Sequence, residues 1–143
     1  MTFLLDVNAL IALVHANHVS HLRVKRWFQK VGAEQWATCP LTEASFVRIV
    51  SNPKFSEHSI EIGEAMQMLG ILWNLPGHQF WTMELSFNDA VSPVVERLFG
   101  HQQVTDAYLL GMAIKKNGRL VTLDKAIKTL AGTDYGAHVL VLE

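Results

Sequence analysis

The sequence predicts an α/β fold, a three-layer α/β/α sandwich around a mainly parallel sheet of four or five strands. Three observations carry that expectation. Apolar runs and amphipathic stretches alternate from one end of the chain to the other. The runs TFLL and LVTL are almost wholly apolar, as suits strands covered on both faces. Strand alternating with helix calls for parallel pairing through right-handed crossovers. The 143 residues give room for one core and one domain.

Taken in order, Thr2–Leu5 reads as a buried strand ending at Asp6, and Asn8–Val14 as a short helix. His18–Lys30 carries Val19, Leu22, Trp27 and Phe28 at roughly helical spacing, with Gly32 as the stop. Trp36–Cys39 is a second strand closed by Pro40. Thr42 reads as the N-cap of a helix over Glu43–Val50, ended by the Asn52-Pro53 turn. Ser59–Trp73 is a long amphipathic helix, punctuated by Pro76-Gly77, and Gln79–Met83 is a third strand. Asp89 or Ser92-Pro93 opens a helix through Phe99. Thr105–Asn117 is a clear helix with Gly118 beyond its end. Arg119–Leu123 is a fourth strand ending at Asp124, Lys125–Leu130 a short helix, and His138–Leu142 a possible last strand.

Composition narrows the class. Half of the residues are hydrophobic and 17% are charged, with a mean hydropathy of +0.19. That excludes a disordered chain. Twelve Lys and Arg face thirteen Asp and Glu, which argues against a strongly basic nucleic-acid coater. The single Cys39 excludes an internal disulfide framework and a Cys-based zinc site, and reads as a buried strand residue. No apolar run reaches the roughly 18–20 residues of a membrane span. The start MTFLLDVNAL lacks the basic n-region of a signal peptide. A soluble, cytoplasmic domain without membrane association is expected.

The acids fall at meaningful places. Asp6 follows the first strand and Asp124 the fourth; Glu43 lies in the helix after the second strand, and Asp106 at the start of the helix before the fourth. Ligands of open parallel sheets bind at the carboxyl ends of the strands. All four acids can converge there, provided the connection from Phe99 returns the Asp106 helix start to that edge. Each also has a plainer reading, since Asp and Glu near helix starts cap free N–H groups and complement the dipole. Asp6 is harder to explain that way, because it interrupts the apolar run MTFLLDVNALIALV, and a lone buried carboxylate is costly unless paired or metal-bound. Four clustered acids repel one another and call for cations. An all-oxygen, carboxylate-rich site suits one or two Mg²⁺ or Mn²⁺ ions, which support in-line displacement at phosphorus. With those four acids set aside, nine acids face twelve bases, so contact with a phosphate backbone is plausible, beside the plainer reading of a solvated basic face.

LLDVNALIAL, PLTEASFVRI and VTDAYLLGMAIKKNGRLVTLDKAI, in this order and over this length, resemble PIN-domain ribonucleases, and more narrowly the VapC-type toxins of bacterial toxin–antitoxin pairs. The resemblance covers essentially residues 1–143 as a single PIN domain. It implies that Asp6, Glu43, Asp106 and Asp124 hold divalent metal for hydrolysis of RNA phosphodiester bonds, in transfer or ribosomal RNA. Asn8 matches a polar residue supporting the first Asp, and Thr105 a hydroxyl preceding the third acid. His21 and Trp27 match a structural H-x5-W pattern. Homodimers and a neutralising VapB-type antitoxin are implied as well.

Other side chains carry weaker signals. His15, His18 and His21 sit three apart and read as a solvated or partly buried stripe rather than a metal site. His101 could lie near the acids. The four tryptophans read as core, as does the helix carrying Met66 and Met68, part of which could form a binding groove. A haloacid-dehalogenase-like phosphatase would want D-x-D where this chain has D-x-N. A receiver domain would want a phosphoacceptor where Met83 stands. The remaining alternative is a non-catalytic RNA-binding PIN domain.

Overall fold

A computed structural model describes residues 1–55, 57 and 59–143. Five short strands form one sheet in which every pairing is parallel: β1 (Phe3–Leu5), β2 (Trp36–Thr38), β3 (His78–Phe80), β4 (Arg119–Thr122) and β5 (Val139–Val141). Their spatial order is β3-β2-β1-β4-β5, so the first strand lies at the centre. The chain builds outward through β2 and β3, then returns to the other side of β1. The reversal places a switch point between β1 and β4, and their carboxyl ends run into Asp6 and Asp124.

The pleat explains why both faces are apolar. Leu4 and Leu120 point into one core; Leu5 and Val121 point into the other, and all four are fully buried. Each such leucine contributes about 1.5–3 kcal/mol through burial. The second core is roofed by α1 (Val7–Val14), α2 (His21–Lys30), α3 (Pro40–Val50) and α4 (Ile62–Trp73). The first is roofed by α5 (Phe87–Val91), α6 (Val104–Lys115) and α7 (Lys125–Tyr135). This is the expected three-layer sandwich, with the fifth strand present.

Several boundaries differ from the sequence expectation. Helix α3 begins at Pro40, not Glu43; Cys39 is its cap, and Thr42 sits inside the first turn. Proline at the first helical position lacks only an N–H that would have had no partner. The third strand is His78–Phe80 rather than Gln79–Met83, an edge strand with two of its three residues exposed. Ser86, not Asp89 or Ser92, caps the helix that follows, accepting the Asp89 N–H at 3.1 Å, and a 3-10 turn over Ser92–Arg97 continues it. Helix α7 runs past Leu130 because Gly132, at φ +65°, absorbs a kink. Arg97 holds that kink, donating to the Leu130 and Ala131 carbonyls at 2.8 and 3.0 Å. Trp73 is half exposed and Met66 more so, whereas Ala65, Leu69 and Leu72 form the buried face of α4. The tryptophan and methionine expectations therefore fail at those two positions. No helix among the described residues is long and apolar enough to cross a membrane.

Candidate active site

Asp6 caps α1 and is almost completely buried. Its Oδ1 accepts the Val7 N–H at 2.8 Å, and its Oδ2 accepts the Thr122 hydroxyl at 2.8 Å. Those two bonds leave further lone pairs on the carboxylate for another partner. Burial pushes its pKa up from 3.8 against the two hydrogen bonds, with a further upward push from Asp124.

Thr122, fully buried at the end of β4, joins the parts of the site. Besides donating to Asp6, its Oγ1 accepts the Asp124 N–H at 3.1 Å and Asn8 Nδ2 at 3.3 Å. Asn8 Oδ1 in turn accepts the Leu123 N–H at 3.1 Å. Asn8 thus supports Asp6 through Thr122 rather than by direct contact. Thr122 is not among the residues the sequence points to; its signal is the T-x-D spacing at a strand end, where a hydroxyl can bond the backbone two residues on.

Asp124 caps α7, accepting the Ala126 N–H at 2.9 Å. Asp106 stands in the first turn of α6, half-buried, and the connection after Phe99 does return it to the sheet edge. Its pKa is pushed up to about 7, first by burial and then by the charges of Asp6 and Asp124. Asp6 and Asp106 share a cavity of about 180 Å³, and Asp106 and Asp124 share an open one of about 450 Å³ beside His101. The structure therefore brings three of the four predicted acids together, with His101 nearby.

Glu43 does not join them. Its Oε2 accepts the Thr38 hydroxyl at 2.6 Å and Trp73 Nε1 at 2.7 Å. The Thr38 proton goes to Glu43, so His78 Nε2–H, 2.8 Å away, is the donor in that pair. Helix geometry explains this placement. Thr42 and Ser45, three apart on α3, line the cavity, and position 43 is rotated about 100° from position 42. Thr105 is exposed at the cavity wall, and among the described residues bonds neither a carboxylate nor its helix start. The histidine stripe is committed locally: Nδ1 of His15 and His18 accepts N–H groups of Asn17 and Ser20, and that of His21 lies 2.7 Å from the Ala12 carbonyl.

The trio fits a hard divalent cation in its donor chemistry. Three carboxylates face one region, no Lys or Arg pairs with any of them among the described residues, and Asp106 is driven toward protonation by burial and then by the other two. A cation would reverse that push. The side chains as they stand are not drawn into a ready cage: among the described residues no group of three or more His, Cys, Asp and Glu is placed to hold one ion.

Comparison with known proteins agrees with this architecture. Residues 3–132 match the PIN domain family model. Ribonuclease VapC38 of Mycobacterium tuberculosis is 44% identical over 90% of this chain and 89% of its own length. Ribonuclease VapC39 of the same species is 40% identical over 89% of this chain and 91% of its own. In fold, the chain matches one from the crystal structure of VapBC2 of Rickettsia felis bound to a DNA fragment from its promoter, with a TM-score of 0.61. Identity there is 15%, over 90% of this chain and 92% of that one. With a family match across nearly the whole sheet and three acids gathered at its switch point, the chain belongs to the PIN-domain family and is similar to VapC ribonucleases over nine-tenths of its length.

Proposed function

We propose that this protein is a metal-dependent endoribonuclease toxin, hydrolysing phosphodiester bonds in transfer or ribosomal RNA and neutralised by a VapB-type antitoxin. One observation carries the reading: Asp6, Asp106 and Asp124 crowd the switch point of the sheet, with Asp106 raised to about 7 and no cation paired with any of them among the described residues. Similarity to VapC ribonucleases supports RNA as the substrate, and the resemblance of the motifs to VapC-type toxins supports the antitoxin. A homodimer, acting in the cytoplasm, belongs to the same proposal.

Asp6, Asp106 and Asp124 would hold one or two Mg²⁺ or Mn²⁺ ions. Bound there, the metal supplies Lewis acidity and offsets negative charge at phosphorus. The protein's own part is positional. Thr122 and the Val7 N–H fix the Asp6 carboxylate so that its free lone pairs face the cavity. The Ala126 N–H fixes Asp124. Asn8 holds the Leu123 backbone and Thr122, keeping β4 and its acid in register with α1. Glu43, as placed, ties α3 to α4 through Trp73 and to the end of β2 through Thr38.

A second reading, a PIN domain that binds RNA without cleaving it, is favoured by the absence of Glu43 from the cavity and of a ready three-ligand cage among the described residues. Induced expression of wild type and Asp6→Asn in a bacterial host, with RNA 5′ ends mapped, separates the two. Growth arrest with a few discrete new ends, absent in the variant, supports the toxin ribonuclease. Soluble, folded wild type that yields no new ends, in a host lacking the antitoxin, supports the binding domain.

A further inference from the structure

The cavity shared by Asp6 and Asp106 has a second wall that the carboxylates do not explain. Thr42, Ser45 and Arg48, spaced by three along α3, all line it, and Thr105 of α6 faces them. Residues three apart fall on one side of a helix, so this is a stripe leading outward from the acids. Thr42 is fully engaged: its hydroxyl donates to the Cys39 carbonyl at 3.1 Å and accepts the Cys39 N–H at 3.0 Å. Ser45, Arg48 and Thr105 have no hydrogen-bond or ion-pair partner among the described residues.

The Arg48 guanidinium is the telling member. It lines the same cavity as two carboxylates, yet forms no salt bridge with either; the one ion pair among the described residues is Lys125–Glu143, elsewhere on the surface. Its five donors are free for an anion brought in from outside, in the fork geometry that suits a phosphate. Two hydroxyls stand on the cavity walls as further donors. A phosphodiester offers what this wall lacks: two non-bridging oxygens carrying one negative charge. We propose that Arg48, assisted by Ser45, is a phosphate subsite that seats the RNA backbone at the mouth of the acid cavity. The identity of the anion as RNA rests on the function proposed above; the uncommitted donors do not.

The test measures binding of a single-stranded RNA oligonucleotide across a salt series, in an Asp6→Asn background so that the RNA survives. Each phosphate contact to a single strand contributes about 0.7 to the slope of log affinity against log salt. Arg48→Gln should lower that slope by about 0.7 and weaken binding about tenfold at low salt. Arg48→Lys should keep the slope while losing part of the affinity, because the charge remains and the fork does not. Lys30→Gln, on α2 and outside the cavity, is the control for general basic charge. Melting temperatures without RNA should agree within about 2 °C, as expected for an exposed side chain without partners. Inorganic phosphate should compete in the Arg48 protein more strongly than in the Gln variant.

An unchanged slope in Arg48→Gln, an equal loss in Lys30→Gln, or no RNA binding at all overturns the subsite. The two proposals fail separately. If RNA is never cleaved but Arg48→Gln still flattens the salt slope, the nuclease reading falls and the subsite stands. If Asp6-dependent cleavage is found and Arg48→Gln changes neither KM nor slope, the subsite alone falls.

Discussion

Replacing Asp106 by Asn should stabilise the metal-free protein, and more strongly at alkaline than at acid pH. The carboxyl of Asp106 is raised from 3.8 to about 7 by burial and by Asp6 and Asp124. The folded state therefore holds this proton more tightly than the unfolded chain does. Its contribution to stability is complete below about pH 4 and is lost as pH rises toward about 7. For a carboxyl sealed from water, a rise of this size would correspond to ~4 kcal/mol. Asp106 is only half-buried, so solvent screening reduces this to ~1–2 kcal/mol. At this chain length that is about 3–6 °C in Tm near pH 8, and about a third of that near pH 5. Thermal unfolding in a chelator, followed by circular dichroism, reads both values. Saturating Mn²⁺ should then stabilise wild type by RT ln(1 + [L]/Kd), about 2.7 kcal/mol at 100 Kd, and the variant by less. An Asn variant that melts at or below wild type near pH 8 would refute the claim that these three carboxylates strain one another.

Other expectations follow from single contacts. Thr122→Val should cost about 1–3 kcal/mol in denaturant unfolding, because Asp6 Oδ2 and the Asp124 N–H lose their partner, and Thr122→Ser should restore most of it. If the protein cleaves RNA, the same Val substitution should lower kcat about 10–100-fold, which Ser should rescue. Glu43→Ala should destabilise by about 1–3 kcal/mol through Trp73 Nε1 and Thr38, yet leave the Mn²⁺-induced rise in Tm unchanged; a lost metal response would return Glu43 to the metal set. Gly111→Ala should destabilise by about 1–3 kcal/mol or more, since a Cβ there meets the Ala90 backbone where α5 crosses α6, and a calorimetric scan matching wild type would contradict that close approach.

The middle of the sheet is legible in the sequence and its margins are less so. β1 and β4 are apolar on both faces and end in Asp, so strand, boundary and acid come from one signal. β3 is an edge strand of sequence HQF with little burial, and nothing in its pattern fixes the register that its pairing with β2 imposes. The start of α3 is easily misplaced because Pro40 looks like a stop, whereas at the first helical position it is a start. That boundary does not decide the direction of Glu43. Positions 42, 43 and 45 lie close in sequence, and only the seating of α3 against α4 sends 43 to Trp73 while 42 and 45 face Asp6. Arg48 is invisible in the sequence for a related reason. An exposed arginine on a helix is ordinary until the cavity beside it is seen to leave its charge unanswered.

The central position of β1 also sets an order in time. Leu5 is made long before its partner Val121, which follows it by more than a hundred residues in the chain. At ~5–20 residues per second, a ribosome needs roughly 6–23 s to span the interval. Until then the strand that will become the middle of the sheet has a bare edge, and Asp6 lacks the hydroxyl of Thr122. Asp106 and Asp124 are likewise made long after Asp6. A chain interrupted before β4 therefore cannot assemble the carboxylate cluster, whatever the quality of its remaining core. What such a fragment does possess is an unpaired hydrophobic strand, which makes it a target for aggregation and quality control.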